Sequence, residues 1–182
     1  NALINSNFVF FDSGYFVLLL RLLKNIKVNK FSGYKFLKLL FIFLQKNNSK
    51  KIFLIDPNQN SSKINKIFFT DLGLCNIKNY VSPIYDKNTI YDYILLKEID
   101  EFKPDYLIIN LAGGVQETLG FFIKQKARKS SKIICTGGAI SYFTGEQAPI
   151  NKFIDNLYLG WFYRIIFNPK IFLKRYLRSL NY

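Results

Sequence analysis

Histidine and methionine are both absent from these 182 residues. Without histidine there can be no Ser-His-Asp triad, no Cys-His pair and no histidine metal site. Only two cysteines occur, Cys75 and Cys135. They lie far apart and form no CxxC pair, which excludes a structural zinc site and argues against a disulfide framework. A reducing, cytoplasmic setting is therefore expected. Acidic residues are scarce, 12 against 26 basic ones, for a net charge of +14. That imbalance suits an anionic partner, whether nucleic acid, an anionic membrane surface or a phosphorylated substrate. A Lys- and Asn-rich background composition without functional meaning is the alternative. Long apolar runs are missing too. "YFVLLLRLL" and "FLKLLFIFL" each extend about nine residues and carry a cation, against the roughly 20 that a membrane-spanning helix needs. No spanning segment and no signal peptide are expected. The chain opens on Asn1, so a preceding segment is expected to be missing.

What is present is enough apolar material for a real core, 49% of residues, with 19 Phe and 12 Tyr. The length fits one domain, or one domain with an appendage. "NFVFF" (Asn7–Phe11), "KIFLI" (Lys51–Ile55), "LCNIKNYV", "DYLIINL" and "KIICT" read as strands. Between them, helices are expected over Tyr15–Leu23 (buried), Tyr34–Gln45, Lys63–Phe69 (capped by the serines before it), Thr89–Phe102 and Val115–Lys129. Everything after Pro149 reads as helical, divided at Pro169. Strands alternating with helices imply a parallel sheet covered on both faces, with ligands bound beyond the carboxyl ends of its strands.

Three such ends carry polar or glycine-rich material. Asp12, in "FFDSG", could act as a general base or cap the following helix. "LAGGVQE" (Leu111–Glu117) has the layout of a loop entering a helix, where free N–H groups can bind phosphate. It is neither GxxxxGK[ST] nor GxGxxG. Gln116 could bond a nucleobase or sugar and Glu117 a loop or hydroxyl, unless this is simply a glycine turn with a solvated pair. "TGGAISYFTG" (Thr136–Gly145) repeats the device, and the two together suggest a nucleotide-type ligand across the sheet edge. From Asn156 to Tyr182 no acidic residue occurs, while Lys170, Lys174 and Arg178 recur at helical spacing among bulky aromatic residues. This is the pattern of an interfacial membrane segment. A solvated basic face or a nucleic-acid patch would give the same pattern.

In order and spacing, "KPDYLIINLAGGVQE", "CTGGAISYFTGEQAP" and "LGWFYRIIFNPKIFLKRYL" resemble the WecG/TagA/CpsF family of bacterial glycosyltransferases. "FVFFDSGYFVLLLR" and "KFSGYKFL" resemble its earlier segments. Ala112, Gly114, Ser141, Gly160 and the pair Tyr34-Lys35 depart from the family pattern, which places the chain on a divergent branch. The resemblance implies a Rossmann-like α/β core over 1–155 and a helical, basic, aromatic membrane-docking appendage over 156–182. It also implies inverting transfer of an N-acetylhexosamine, such as N-acetylmannosamine, from a UDP-sugar to a polyprenyl-diphosphate-linked acceptor in cell-surface polysaccharide synthesis. Asp12 would be the catalytic base. Gly113, Gly114, Gln116, Glu117, Thr136, Gly137 and Gly138 would hold the donor. Arg164, Lys174, Arg175 and Arg178 would meet the diphosphate or lipid. No DxD occurs, so no metal and no other cofactor is expected. The expected location is peripheral, on the cytoplasmic face of the inner membrane. No nucleic-acid partner is expected, and homo-oligomerisation is left open.

Overall fold

A computed structural model describes residues 2–86 and 90–146, with positions 162, 165, 166 and 169. Four parallel strands form one sheet: β1 (Ile52–Asp56), β2 (Ile77–Val81), β3 (Tyr106–Ile109) and β4 (Lys132–Cys135), in the order β2-β1-β3-β4. Register places Leu54 between Asn79 and Ile108. The helices are α1 (Gly14–Lys24), α2 (Gly33–Lys46), α3 (Gln59–Asp71), α4 (Tyr93–Phe102) and α5 (Val115–Lys126), with a short 3-10 helix, η1 (Gly137–Tyr142).

The period-two alternation of strand side chains builds two cores from one sheet. Ile52, Leu54, Tyr106 and Ile108 pack under α2, α3 and η1 through residues such as Leu37, Phe41, Phe69 and Ile140. Phe53, Ile55, Leu107 and Ile109 pack under α4 and α5 through Leu95, Ile99, Leu119 and Ile123. Burial on both faces explains why β1 and β3 are near-continuous apolar runs. The α/β class and the parallel sheet expected from the sequence are present.

Local chemistry fixes the helix starts. The side chains of Ser32, Asn58 and Asp92 accept the N–H groups of Lys35, Ser61 and Leu95 at 3.3, 2.9 and 2.8 Å. Asn58 thus caps α3, not the serines, and the helix begins earlier than expected. The α4 helix starts at Tyr93 because Asp92 is its cap. The α5 helix stops at Lys126, where Ala127 turns extended and Asp100 takes the Arg128 N–H at 2.9 Å. The "LCNIKNYV" strand starts only at Ile77, Leu74 being spent in the core.

Two expectations fail outright. Asn7–Phe11 is not a strand. Among the described residues it makes a single isolated bridge, Phe11 to Lys30, and it joins no strand of the sheet. The α1 helix is not buried throughout either: Gly14 and Val17 are buried and Tyr15, Leu18, Leu19 and Leu20 half-buried, while Phe16 and residues 21–24 are exposed. Arg164, Lys174, Arg175 and Arg178 lie outside the described residues, as does the expected boundary at 155/156. Among the described residues no helix is long and apolar enough to cross a membrane.

Candidate active site at the carboxyl edge of the sheet

The α3 helix, which follows β1, covers one face of the sheet, and α5, which follows β3, covers the other. Such divergence opens a crevice between the two strand ends, where doubly wound sheets place their ligands. A polar cluster that the sequence did not announce lies at its floor. Asp56, the last residue of β1, has no accessible surface. Its Oδ1 accepts the side-chain N–H groups of Asn65 (2.7 Å) and Asn110 (2.8 Å), and its Oδ2 accepts Asn79 (3.0 Å). Asn110 in turn accepts the Thr136 hydroxyl at 3.3 Å. One carboxylate thereby ties the ends of β1, β2 and β3 to α3 and, through Asn110, to the residue after β4. The one sequence signal was a lone acid closing an otherwise apolar buried strand.

Burial pushes the Asp56 carboxyl above its ordinary value of 3.8, and the amide bonds from Asn110, Asn65 and Asn79 oppose that shift. The carbonyl oxygens of Asn65 and Asn79 are buried without a hydrogen-bond partner, so the cluster has spare acceptor capacity for a proton on Asp56. The sign for stability follows from linkage. Below pH 3.8 the side chain is protonated in both folded and unfolded chains, and its contribution is fully present. As the pH rises through the window from 3.8 to the raised native value, the unfolded state ionises first and that contribution is lost. Urea unfolding at a series of pH values should show this falling component in the wild type and not in Asp56→Asn.

The loops above the crevice are braced against each other. Gln116 Oε1 accepts the Gly137 N–H at 2.7 Å, and Gln116 Nε2 donates to Glu117 Oε1 at 2.9 Å. Glu117 Oε2 accepts the Gly114 N–H at 2.5 Å and so caps its own helix. Gly114 (φ 89°) and Gly137 (φ 56°) occupy backbone conformations that side chains resist. Gly113 has open space on its side-chain side. The sequence reading gave Gln116 to a ligand. In the structure it is a strut between the β3–α5 and β4–η1 loops, and Glu117 holds the first of them. Gly113, Gly114, Gln116, Glu117, Thr136, Gly137 and Gly138 do converge on these two adjacent strand ends.

Asp12 reaches this edge by a route the sequence did not suggest. It does not cap α1, since Ser13 does that through the Phe16 N–H. Its Oδ1 accepts the N–H of Gly33, the first residue of α2, at 2.7 Å. Oδ2 has no hydrogen-bond partner among the described residues, and the residue is exposed. The α2 helix packs on η1, with Tyr34 stacked on Phe143 at 4.6 Å. A Cβ at Gly33 would lie 3.2 Å from that of Ala139 and 3.8 Å from Asp12 Oδ1. Asp12 is thus held against the N-terminus of α2, beside the helix that carries Gly137 and Gly138. Gly33→Ala should force that contact open and lower turnover about tenfold with little loss of stability, since small misplacements of reacting groups are costly. Steady-state kinetics beside a thermal melt would show it.

Cys135 is no rival nucleophile. Although the residue as a whole is exposed, its Sγ donates to the Gln116 carbonyl at 3.4 Å. Burial of the thiol, helped by the Glu117 charge, pushes it up to about 12.

The sequence profile of the "Glycosyl transferase WecG/TagA/CpsF family" matches residues 1–182. The chain is also 27% identical over 173 residues to a Bacillus subtilis (strain 168) protein named N-acetylglucosaminyldiphosphoundecaprenol N-acetyl-beta-D-mannosaminyltransferase. That match takes in 93% of this chain and 64% of the relative, so the chain spans a little under two thirds of the relative's length.

Proposed function

Because this chain belongs to the WecG/TagA/CpsF family of glycosyltransferases, we propose that it moves N-acetylmannosamine or a related N-acetylhexosamine from a UDP donor to a polyprenyl-diphosphate-linked sugar. The acceptor is inferred from the relative's name, which specifies a diphosphoundecaprenol-linked N-acetylglucosamine. The product would enter a cell-surface polysaccharide.

The observation that carries the mechanism is the seating of Asp12. One oxygen is fixed by the Gly33 N–H, the other has no hydrogen-bond partner among the described residues, and Gly33 lies against Ala139, which follows Gly137 and Gly138. Asp12 takes the proton of the acceptor hydroxyl as its oxygen attacks the anomeric carbon. The bond to UDP breaks from the opposite side, and UDP leaves with the electron pair. One displacement inverts the anomeric centre and needs no enzyme nucleophile. The backbone at Gly113–Gly114 and Gly137–Gly138 lets the donor approach closely, and the braces from Gln116, Glu117 and Thr136 hold those loops in shape.

Charge growing on the diphosphate is met without a metal by Arg164, aided by Lys174, Arg175 and Arg178. The segment 156–182, appended to a core over 1–155, docks on the cytoplasmic face of the inner membrane, where such an acceptor resides.

The test presents a panel of UDP-sugars with a short-chain polyprenyl-diphospho-N-acetylglucosamine and reads products by mass spectrometry. Gain of one N-acetylhexosamine by the acceptor is expected. No transfer from any UDP-sugar by the full-length protein would refute the reading.

A further inference from the structure

Every charged residue from Ser13 to Ile55 is basic, and this stretch contains α1 and α2. Gly14 and Val17 are the only fully buried residues of the α1 helix, with Tyr15, Leu18, Leu19 and Leu20 half-buried. From Arg21 onward it projects, and residues 21–27 are all exposed. Leu22 and Leu23 keep 79% and 72% of their surface in water, set between Arg21 and Lys24. Ile26 and Lys27 follow past the left-handed cap at Asn25. At the other end of the helix, exposed Phe16 lies against exposed Phe11 at 6.1 Å.

Adjacent leucines left in water at a helix tip are unusual unless something covers them. The flanking cations say what. An apolar protein patch would cover the leucines but strand Arg21, Lys24 and Lys27 without counter-charge. An anionic bilayer satisfies both, taking the leucines below the headgroups and the cations among them. We propose that the projecting end of α1, Arg21–Lys27, docks on an anionic lipid bilayer. The surface belongs to a different stretch of sequence from 156–182, and it rests on the proposed lipid-linked acceptor for its purpose alone. Asp12 lies two residues before α1, so docking here would bring the proposed base to the side from which a lipid-linked sugar arrives.

Flotation of the full-length protein with vesicles of mixed phosphatidylglycerol and phosphatidylcholine tests this, with phosphatidylcholine alone as reference. Leu22→Ser/Leu23→Ser and, separately, Lys24→Glu/Lys27→Glu should each weaken partition onto the anionic vesicles by about tenfold or more, from lost apolar insertion and lost charge. Transfer to a water-soluble acceptor should be unchanged in both. Undiminished flotation of these variants would overturn the proposal. So would a wild-type dimer that the leucine variant dissolves, since a second copy would then cover the leucines. If the wild type floats and the variants do not, yet none transfers sugar, the enzymatic reading fails and the docking surface stands.

Discussion

Asp12→Asn should lower turnover about a thousandfold while leaving the thermal midpoint and donor affinity near wild type. The asparagine oxygen can still accept the Gly33 N–H that Asp12 Oδ1 accepts at 2.7 Å, so the start of α2 stays in place. What is lost is an open carboxylate oxygen able to take a proton. Positioned general bases contribute on the order of 10²–10⁴ in rate. Asp12→Ala should show the same kinetic loss and, in addition, about 1 kcal/mol of destabilisation, because an acceptor at a helix N-terminus disappears. The pair of variants separates chemistry from capping. Were Asp12 only a cap for α2, the asparagine variant would turn over normally and only alanine would suffer. Rates from single-turnover transfer, beside melts of both proteins, decide it.

Asp56→Ala should cost about 3–5 kcal/mol of folding stability, large among single substitutions. Removing the carboxylate leaves the amide donors of Asn65, Asn79 and Asn110 facing a void in a site closed to water. Each buried donor without an acceptor costs about 1–3 kcal/mol, partly relieved by relaxation. Because Asn110 also holds Thr136, the β4–η1 loop should loosen, and the KM for donor should rise in whatever fraction remains folded. Urea unfolding gives the first quantity and initial rates the second. A stability change under about 1 kcal/mol would contradict the hub role, since it would mean the three amides find other acceptors.

The core strands were legible because their signal is local. "KIFLI", "DYLIINL" and "KIICT" are apolar runs bounded by lysine, proline or glycine, and both faces of β1 and β3 are covered. Asn7–Phe11 carries the same local signal. Whether a neighbouring strand is there to pair with is a property of the whole chain, and among the described residues only Lys30 pairs with it. The α1 helix misled in the same way: its leucines read as core, but Leu18, Leu19 and Leu20 are only half-buried and Leu22 and Leu23 are exposed. In the site, the glycines at 113–114 and 137–138 were readable from their place after strands. Asp56 was not, since its partners lie 9, 23 and 54 residues away and single asparagines carry no spacing motif. Gln116 and Asp12 were singled out by residue type, yet their partners Gly137 and Gly33, each 21 residues distant, had to come from the fold.

The anomeric configuration of the product tests the account most directly. With an isotopically labelled α-linked UDP-N-acetylmannosamine as donor, the one-bond carbon–proton coupling at the anomeric centre of the product distinguishes the two anomers. Single displacement driven by Asp12 predicts a β-linked product from the wild type, formed about a thousandfold more slowly by Asp12→Asn and with the same configuration. An α-linked product would mean retention, would require a nucleophile or a second displacement, and would contradict the role assigned to Asp12.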